Sequence, residues 1–330
     1  MKMHLRRMNR QTVQILVVLG FLVLLLIVLY IGNPRFLSVR NFINLCRQVA
    51  PVIIVGCAMS LVIISGNIDL SIGSTLGFSA VMLGYFCVWG LNLYLGLLLL
   101  VVIGIAVGLL NWFLIDKLVI PAIITTIATM TTIRGLTYTI CGAVSVQGKA
   151  IKVTRVLYST IFFEDAFPIP IPLVFLLLVV AIFVFLEKKT ILGKYSLAMG
   201  GNPQAAKLSG INVSRIRLLL FIFTGVTAAF AGAITTGSMA QGEPNSGLGF
   251  EFEVLAACVL GGISIKGGEG SIGRMVIGAL IIGILNNGMN MLDISSFYQQ
   301  VVKGAVLLIA ISLYAITRNQ DSRVRLSRAS

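Results

Sequence analysis

Leu93-Tyr-Leu-Gly-Leu-Leu-Leu-Leu-Val-Val-Ile-Gly-Ile-Ala-Val-Gly-Leu-Leu-Asn-Trp-Phe-Leu-Ile115 carries no charged side chain. A membrane β-strand needs only about 9–11 residues, whereas a helix needs about 20 apolar residues to cross a hydrocarbon core. Backbone polar groups in lipid must be paired internally, which a run of this length achieves as an α-helix. Similar runs lie outward on both sides, at 15–31, 50–65, 71–89, 120–141, 170–186, 216–236, 252–263, 272–290 and 297–316. The expectation is about ten spans, with 50–65 and 252–263 short enough to be broken or only partly crossing. Composition agrees: 58% of residues are hydrophobic and 11% charged, against about a quarter charged in a soluble domain. The fold class expected is all-α, a polytopic membrane protein. One transmembrane domain covers 15–316, with tails at 1–14 and 317–330.

The net charge of +14 would suggest nucleic acid in a soluble chain. Here the basic residues sit in loops and tails, and no basic face with interleaved aromatics is present, so nucleic acid is excluded as a partner. With the N-terminus in the cytoplasm, Arg35, Arg40, Arg47, Lys149, Lys152 and Arg155 fall outside, Arg134 and Lys303 fall within spans, and the other basic residues lie inside. That bias places both termini and the segment 187–215 in the cytoplasm. Lys2, Arg6, Arg7 and Arg10 precede 15–31 as in a signal peptide, but the run is long for one and no small-x-small site follows. It is expected to be an uncleaved first helix. Five cysteines without Cys-x-x-Cys spacing support neither a disulfide framework nor a metal site.

One polar, glycine-punctuated segment interrupts the apolar chain: Ala198-Met-Gly-Gly-Asn-Pro-Gln-Ala-Ala-Lys-Leu-Ser-Gly-Ile211. Gly200-Gly201-Asn202-Pro203 reads as a turn. Asn202 then caps a short helix with Pro203 at its first position, and Gly210 stops it. Such a segment is either a plain positive loop or a rigid knob for another protein to grip.

The segment resembles the cytoplasmic coupling loop of ribose-type ABC sugar importer permeases, Gly-x-Asn-x-x-Ala-Ala-x-x-Ser-Gly-Ile, through Gly200 or Gly201, Asn202, Ala205, Ala206, Ser209, Gly210 and Ile211. Ile64-Ser-Gly-Asn-Ile-Asp-Leu-Ser-Ile-Gly-Ser74 is similar to a second block of that family, with Asn67 where glycine is usual. Ala256 to Ser271 is similar to its glycine-rich third block, and Arg274 stands where a small polar residue is more usual. The resemblance implies an inner-membrane permease subunit importing a monosaccharide, with no cofactor of its own. It further implies an ABC ATPase subunit, a periplasmic or lipid-anchored sugar-binding protein and a second permease subunit, identical or paralogous. The pull of the ATPase pair would act on the helix around Ala205 and Ala206, whose small side chains allow close seating in a groove.

Polar groups inside spans are costly, about 2.5–3.5 kcal/mol for a charge on insertion scales. Asp69, with Asn67 and Ser71 between Gly66 and Gly73, marks an interrupted helix; it reads as a cap for the span from Ile72 or as a substrate contact. Arg134 needs a partner, and Asp69 is a candidate. Asn286, Asn287, Asn290, Gln299 and Gln300 suit either sugar hydroxyls or interhelical hydrogen bonds. Acidic and polar residues at 241–253 are expected in an outer loop. Ile64–Ser74 and Ile263–Gly273 echo one another as glycine-bracketed turns.

Catalysis is disfavoured because the one histidine is His4 and no P-loop is present. A nucleoside or branched-chain amino acid permease is the alternative within the class, and an ion-coupled secondary transporter the alternative outside it.

Overall fold

The computed structural model describes residues 26–161, 169–295 and 297–306, with Gly20, Val23, Leu308 and Ser312. The tails 1–14 and 317–330 lie outside these residues, as do parts of the expected spans 15–31 and 297–316. In chain order the helices are α1 (26–32), α2 (Val39–Ile64), α3 (Ile72–Val88), α4 (Leu93–Asp116), α5 (Ala122–Cys141), α6 (Ile171–Lys189), α7 (Ile191–Gly201), α8 (Pro203–Leu208), α9 (Val213–Met239), α10 (Phe250–Leu260), α11 (Ile272–Met291) and α12 (297–306). A 3-10 helix, Lys149–Tyr158, leads into β1 (Thr160–Ile161), which pairs antiparallel with β2 (Ile169–Pro170). The expected all-α polytopic class holds. Among the described residues α2, α4, α6, α9 and α11 are long and apolar enough to cross a membrane.

The span expected to be broken at 50–65 is instead the N-terminally extended α2, a continuous helix of 26 residues and about 39 Å. Its first half was unreadable as a span because Arg40, Asn41, Arg47 and Gln48 depress its hydropathy. Tertiary partners accommodate three of these, Gln48 through Asn287 Nδ2 at 3.5 Å. Asn41 Nδ2 donates to Phe36 O (2.9 Å) and Asn287 Oδ1 (2.8 Å), while the Arg47 guanidinium lies 4.9 Å over the Tyr158 ring. Val52 to Ile64 is buried throughout and forms the centre of the core. The 252–263 span is short, as expected: α10 has 11 residues.

Helix α9 packs across α2, α3 and α4. At the α4 contact a Cβ added to Gly104 would stand 2.6 Å from Gly225 O, and one on Gly108 2.5 Å from Phe221 O. The two backbones touch, which is how helices associate in lipid without a hydrophobic driving force. Phe183 and Phe223 meet edge to face at 5.6 Å and tie α6 to α9. The outward faces of α4 and α6 present Leu98, Val102, Leu177, Leu178 and Phe185, apolar surface suited to acyl chains.

Only the start of the segment 241–253 lies beside the 142–169 loop, where Val146 bridges Gly242 and Ser145 donates to Glu243. After Ala240 closes α9, the chain runs back along α3. Gly242 packs on Ala80 and Val81, Ser246 O meets Gly77, and Gly247 meets Gly73. Gly84 to Gly73 is about 16 Å of helix, so Glu251, 5% exposed, sits far deeper than Glu243. Glycines on both chains are the reason, since a Cβ on Gly77 would lie 2.5 Å from Ser246 O.

Candidate functional site

Helix α8 projects at the end of the bundle where α2 stops, with α7 packed against the bundle beneath it. Asn202 is the whole connection between them. Its side-chain Oδ1 accepts from Gln204 N and Ala205 N, both at 3.0 Å, and Pro203 occupies the first position of α8. Gly210 ends the unit at φ +84°. The expected turn at Gly200-Gly201 is a correction: both glycines are the last residues of helical α7, because Gly200 serves close contact rather than positive φ. Ala205 and Ser209 are exposed, whereas Ala206 is 5% exposed and packs inward beside half-buried Ile211. Only one of the two alanines faces out. Leu208, 90% exposed, is the apolar tip of the unit, and the sequence reading passed over it.

Asp69 lies at the break between α2 and α3, 1% exposed. Its Oδ1 accepts from Ser71 N (3.0 Å) and Ser71 Oγ (2.6 Å), and its Oδ2 accepts from Thr224 Oγ1 (2.6 Å) on α9. Asn111 of α4 donates to Ser71 Oγ at 2.9 Å. Asp69 thus braces the turn before α3 through Ser71 and ties it to α9 through Thr224, while Ser71, the N-cap of α3, makes no side-chain capping bond. Arg134 does not pair with it. Its Nη1 donates to Pro244 O (2.8 Å) and Ser246 O (2.9 Å), and its Nη2 to Gly73 O (3.1 Å). The guanidinium pins the returning segment against α3, because a backbone run beside a helix leaves carbonyls that only a multidentate donor can serve. Asn67 Nδ2 bonds locally, to Ser65 Oγ at 3.1 Å and Ser65 O at 3.4 Å.

The remaining amides gather at the opposite end. Asn287 accepts from Asn41 and faces Gln48 at 3.5 Å. Asn286 Nδ2 donates to Glu253, whose other oxygen lies 3.7 Å from Lys303 of α12. Gln299 donates to Asn290 Oδ1 at 2.8 Å. Asn286 Oδ1 is buried without a partner, and Gln300 is exposed. Asn67 and Asp69 belong to a separate cluster from these residues.

The geometry is that of a helical membrane bundle with one exposed, capped stub at its end. A family model described as "Branched-chain amino acid transport system / permease component" matches residues 41–311. The chain belongs to this permease family. It is 40% identical over 292 residues to the ribose import permease protein of Bacillus subtilis (strain 168), covering 88% of this chain and 90% of the relative. It is 36% identical over 278 residues to the L-arabinose transport system permease protein of Escherichia coli (strain K12), covering 84% and 83%. No solved structure matches it significantly. The permease is a multi-pass protein of the inner membrane, and as the permease subunit of an ABC importer it is not an enzyme.

Several residues of the permease that complete these clusters escaped the sequence reading. Asn111 was visible as the one amide in an otherwise apolar run. Thr224, Asn41 and Gln48 carried no local signal, since each matters only through a partner 155 to 246 residues away.

Proposed function

We propose that this permease translocates a monosaccharide, a pentose or hexose of the ribose type, driven by a separate ATPase subunit that grips α8. The carrying observation is the α7–α8 unit: a rigid, capped stub with Ala205, Ser209 and the bare Leu208 side chain turned outward. Relatives named for ribose and arabinose import support the sugar. Gly200, Gly201, Asn202, Ser209, Gly210 and Ile211 shape the stub, Ala205 and Leu208 meet the ATPase, and Ala206 anchors the stub to its own bundle. Domain 15–316, with the loop 187–215 and both termini in the cytoplasm, follows from the charge bias. A sugar-binding protein would deliver at the opposite end, and a second permease subunit would complete the pathway. The cluster of Asn286, Asn287, Asn290, Gln299 and Gln300 lies at that end, and opening of the pathway would let the buried, unpaired Asn286 Oδ1 accept from a sugar hydroxyl.

The test is reconstitution of the chain with ATPase and binding protein in vesicles, followed by uptake of labelled D-ribose, L-arabinose, L-leucine and a nucleoside. ATP-dependent uptake of one of the sugars is expected. Uptake of leucine or the nucleoside alone would transfer the substrate to the alternative. Uptake that survives without ATP and collapses with an ion gradient would remove the ABC reading.

A further inference from the structure

Three segments distant in sequence meet backbone to backbone behind the stub. A Cβ on Gly200, in the last turn of α7, would overlap both Ile64 O at the end of α2 and Gly268 N in the turn between α10 and α11. Gly268 N–H donates to Ile64 O at 2.8 Å. A Cβ on Gly267 would stand 2.8 Å from the Gly66 Cα and 2.9 Å from the Gly200 Cα. Gly66, Gly267 and Gly268 all have positive φ, at 83°, 83° and 74°. Nearby, Glu187 at the end of α6 accepts from Ile272 N, 3.2 Å, at the start of α11. The two echoing glycine turns of the sequence are thus in direct contact, with α7 against both.

Two long helices leave this joint together. Helix α2 runs from Ile64 back to Asn41, and α11 runs from Ile272 forward to Asn287. They touch on the way, since a Cβ on Gly56 would stand 2.7 Å from Met275 Sδ and one on Gly283 would overlap Val49. They are joined again at the far end by the Asn41–Asn287 hydrogen bond.

We propose that Gly66, Gly200, Gly267 and Gly268 form a rigid joint that passes displacement of the α7–α8 stub directly into the α2–α11 pair, and so to the amide cluster at the opposite end. The proposal rests on the stub being the ATPase contact. Side chains between elements can rotate and absorb a push, but close-packed backbone has no such freedom and moves as one body.

The test uses the assembled transporter in vesicles, with whichever of D-ribose and L-arabinose the wild type imports as probe. Gly200→Ala is compared with Gly273→Ala, where the added Cβ meets nothing nearer than Ser271 Oγ at 3.9 Å. Gly273→Ala is expected to stay within about twofold of wild type in ATPase binding and in sugar moved per ATP. Gly200→Ala is expected to keep ATPase binding and lose at least about tenfold in sugar moved per ATP. Unchanged sugar per ATP in Gly200→Ala overturns the joint, and so does loss of ATPase binding, which would make Gly200 part of the docking face. Failure of the docking reading shows separately, as normal ATPase binding in Leu208→Ala. Should Gly200→Ala not fold, Gly201→Cys with Glu269→Cys is joined by a short bis-maleimide, the two single substitutions, which keep the five native cysteines, serving as background. A joint that never opens keeps at least half the uptake of its uncrosslinked control; loss of uptake on crosslinking overturns the proposal.

Discussion

Leu208→Ala separates docking from folding. The side chain is 90% exposed, so the free permease loses almost no packing when it is truncated, and its own stability should move by less than about 0.5 kcal/mol. In the complex the three carbons beyond Cβ would be buried against the ATPase. At about 0.8 kcal/mol per buried methylene-sized group their removal weakens docking by about 2.4 kcal/mol, close to 50-fold in Kd at about 1.4 kcal/mol per tenfold. The assay is titration of the permease in nanodiscs with the purified ATPase subunit, beside thermal unfolding of the free permease. A drop in Tm matching the loss of binding would mean that Leu208 supports the fold. A Kd within threefold of wild type, with uptake intact, would refute the docking assignment and with it the proposed role of α8.

The other expected outcomes concern the buried polar groups and the glycine contacts. Arg134→Gln removes a donor that serves three backbone carbonyls and should destabilise the permease by about 3–5 kcal/mol, read as lowered resistance to denaturant. Because Arg134 and Asp69 share no partner, Arg134→Gln and Asp69→Asn should add within about 0.5 kcal/mol in the double variant; a coupling above about 1 kcal/mol would restore the direct pair. Gly104→Val should force α4 off α9 and cost about 1–3 kcal/mol, measured in the same unfolding assay. Glu243, in the loop after α9, is held below the usual carboxylate range chiefly by the Ser145 hydroxyl. With its folded pKa depressed, its contribution is present at neutral pH and is lost as pH falls through the folded value. Ser145→Ala should therefore lower stability slightly at neutral pH and leave it unchanged once pH is below the folded value of Glu243, checked by unfolding across the acid range.

Much of the bundle was legible because apolar length and capping chemistry are local. Leu93–Ile115 could be nothing but a helix in lipid, and Asn202, Pro203 and Gly210 announce α8 through dihedral preference and side-chain geometry alone. The same locality explains what was not legible. A hydropathy reading cannot extend α2 back through Arg40, Asn41 and Arg47, because two of those side chains are accommodated only by partners on remote elements. Nor can it tell that Gly200 is helical, since glycine is equally suited to a turn and to a close contact.

By itself, then, the sequence determined the class of molecule, the long apolar helices and the existence of one capped stub, all of which follow from the solvent and the backbone within a few residues. Tertiary structure alone decided that Arg134 serves carbonyls rather than Asp69, that 241–249 folds back along α3, and that α7 rests on the ends of α2 and the α10–α11 turn. Those outcomes depend on which buried donors and bare backbones reach one another across the bundle, and such meetings have no signature in the neighbouring residues.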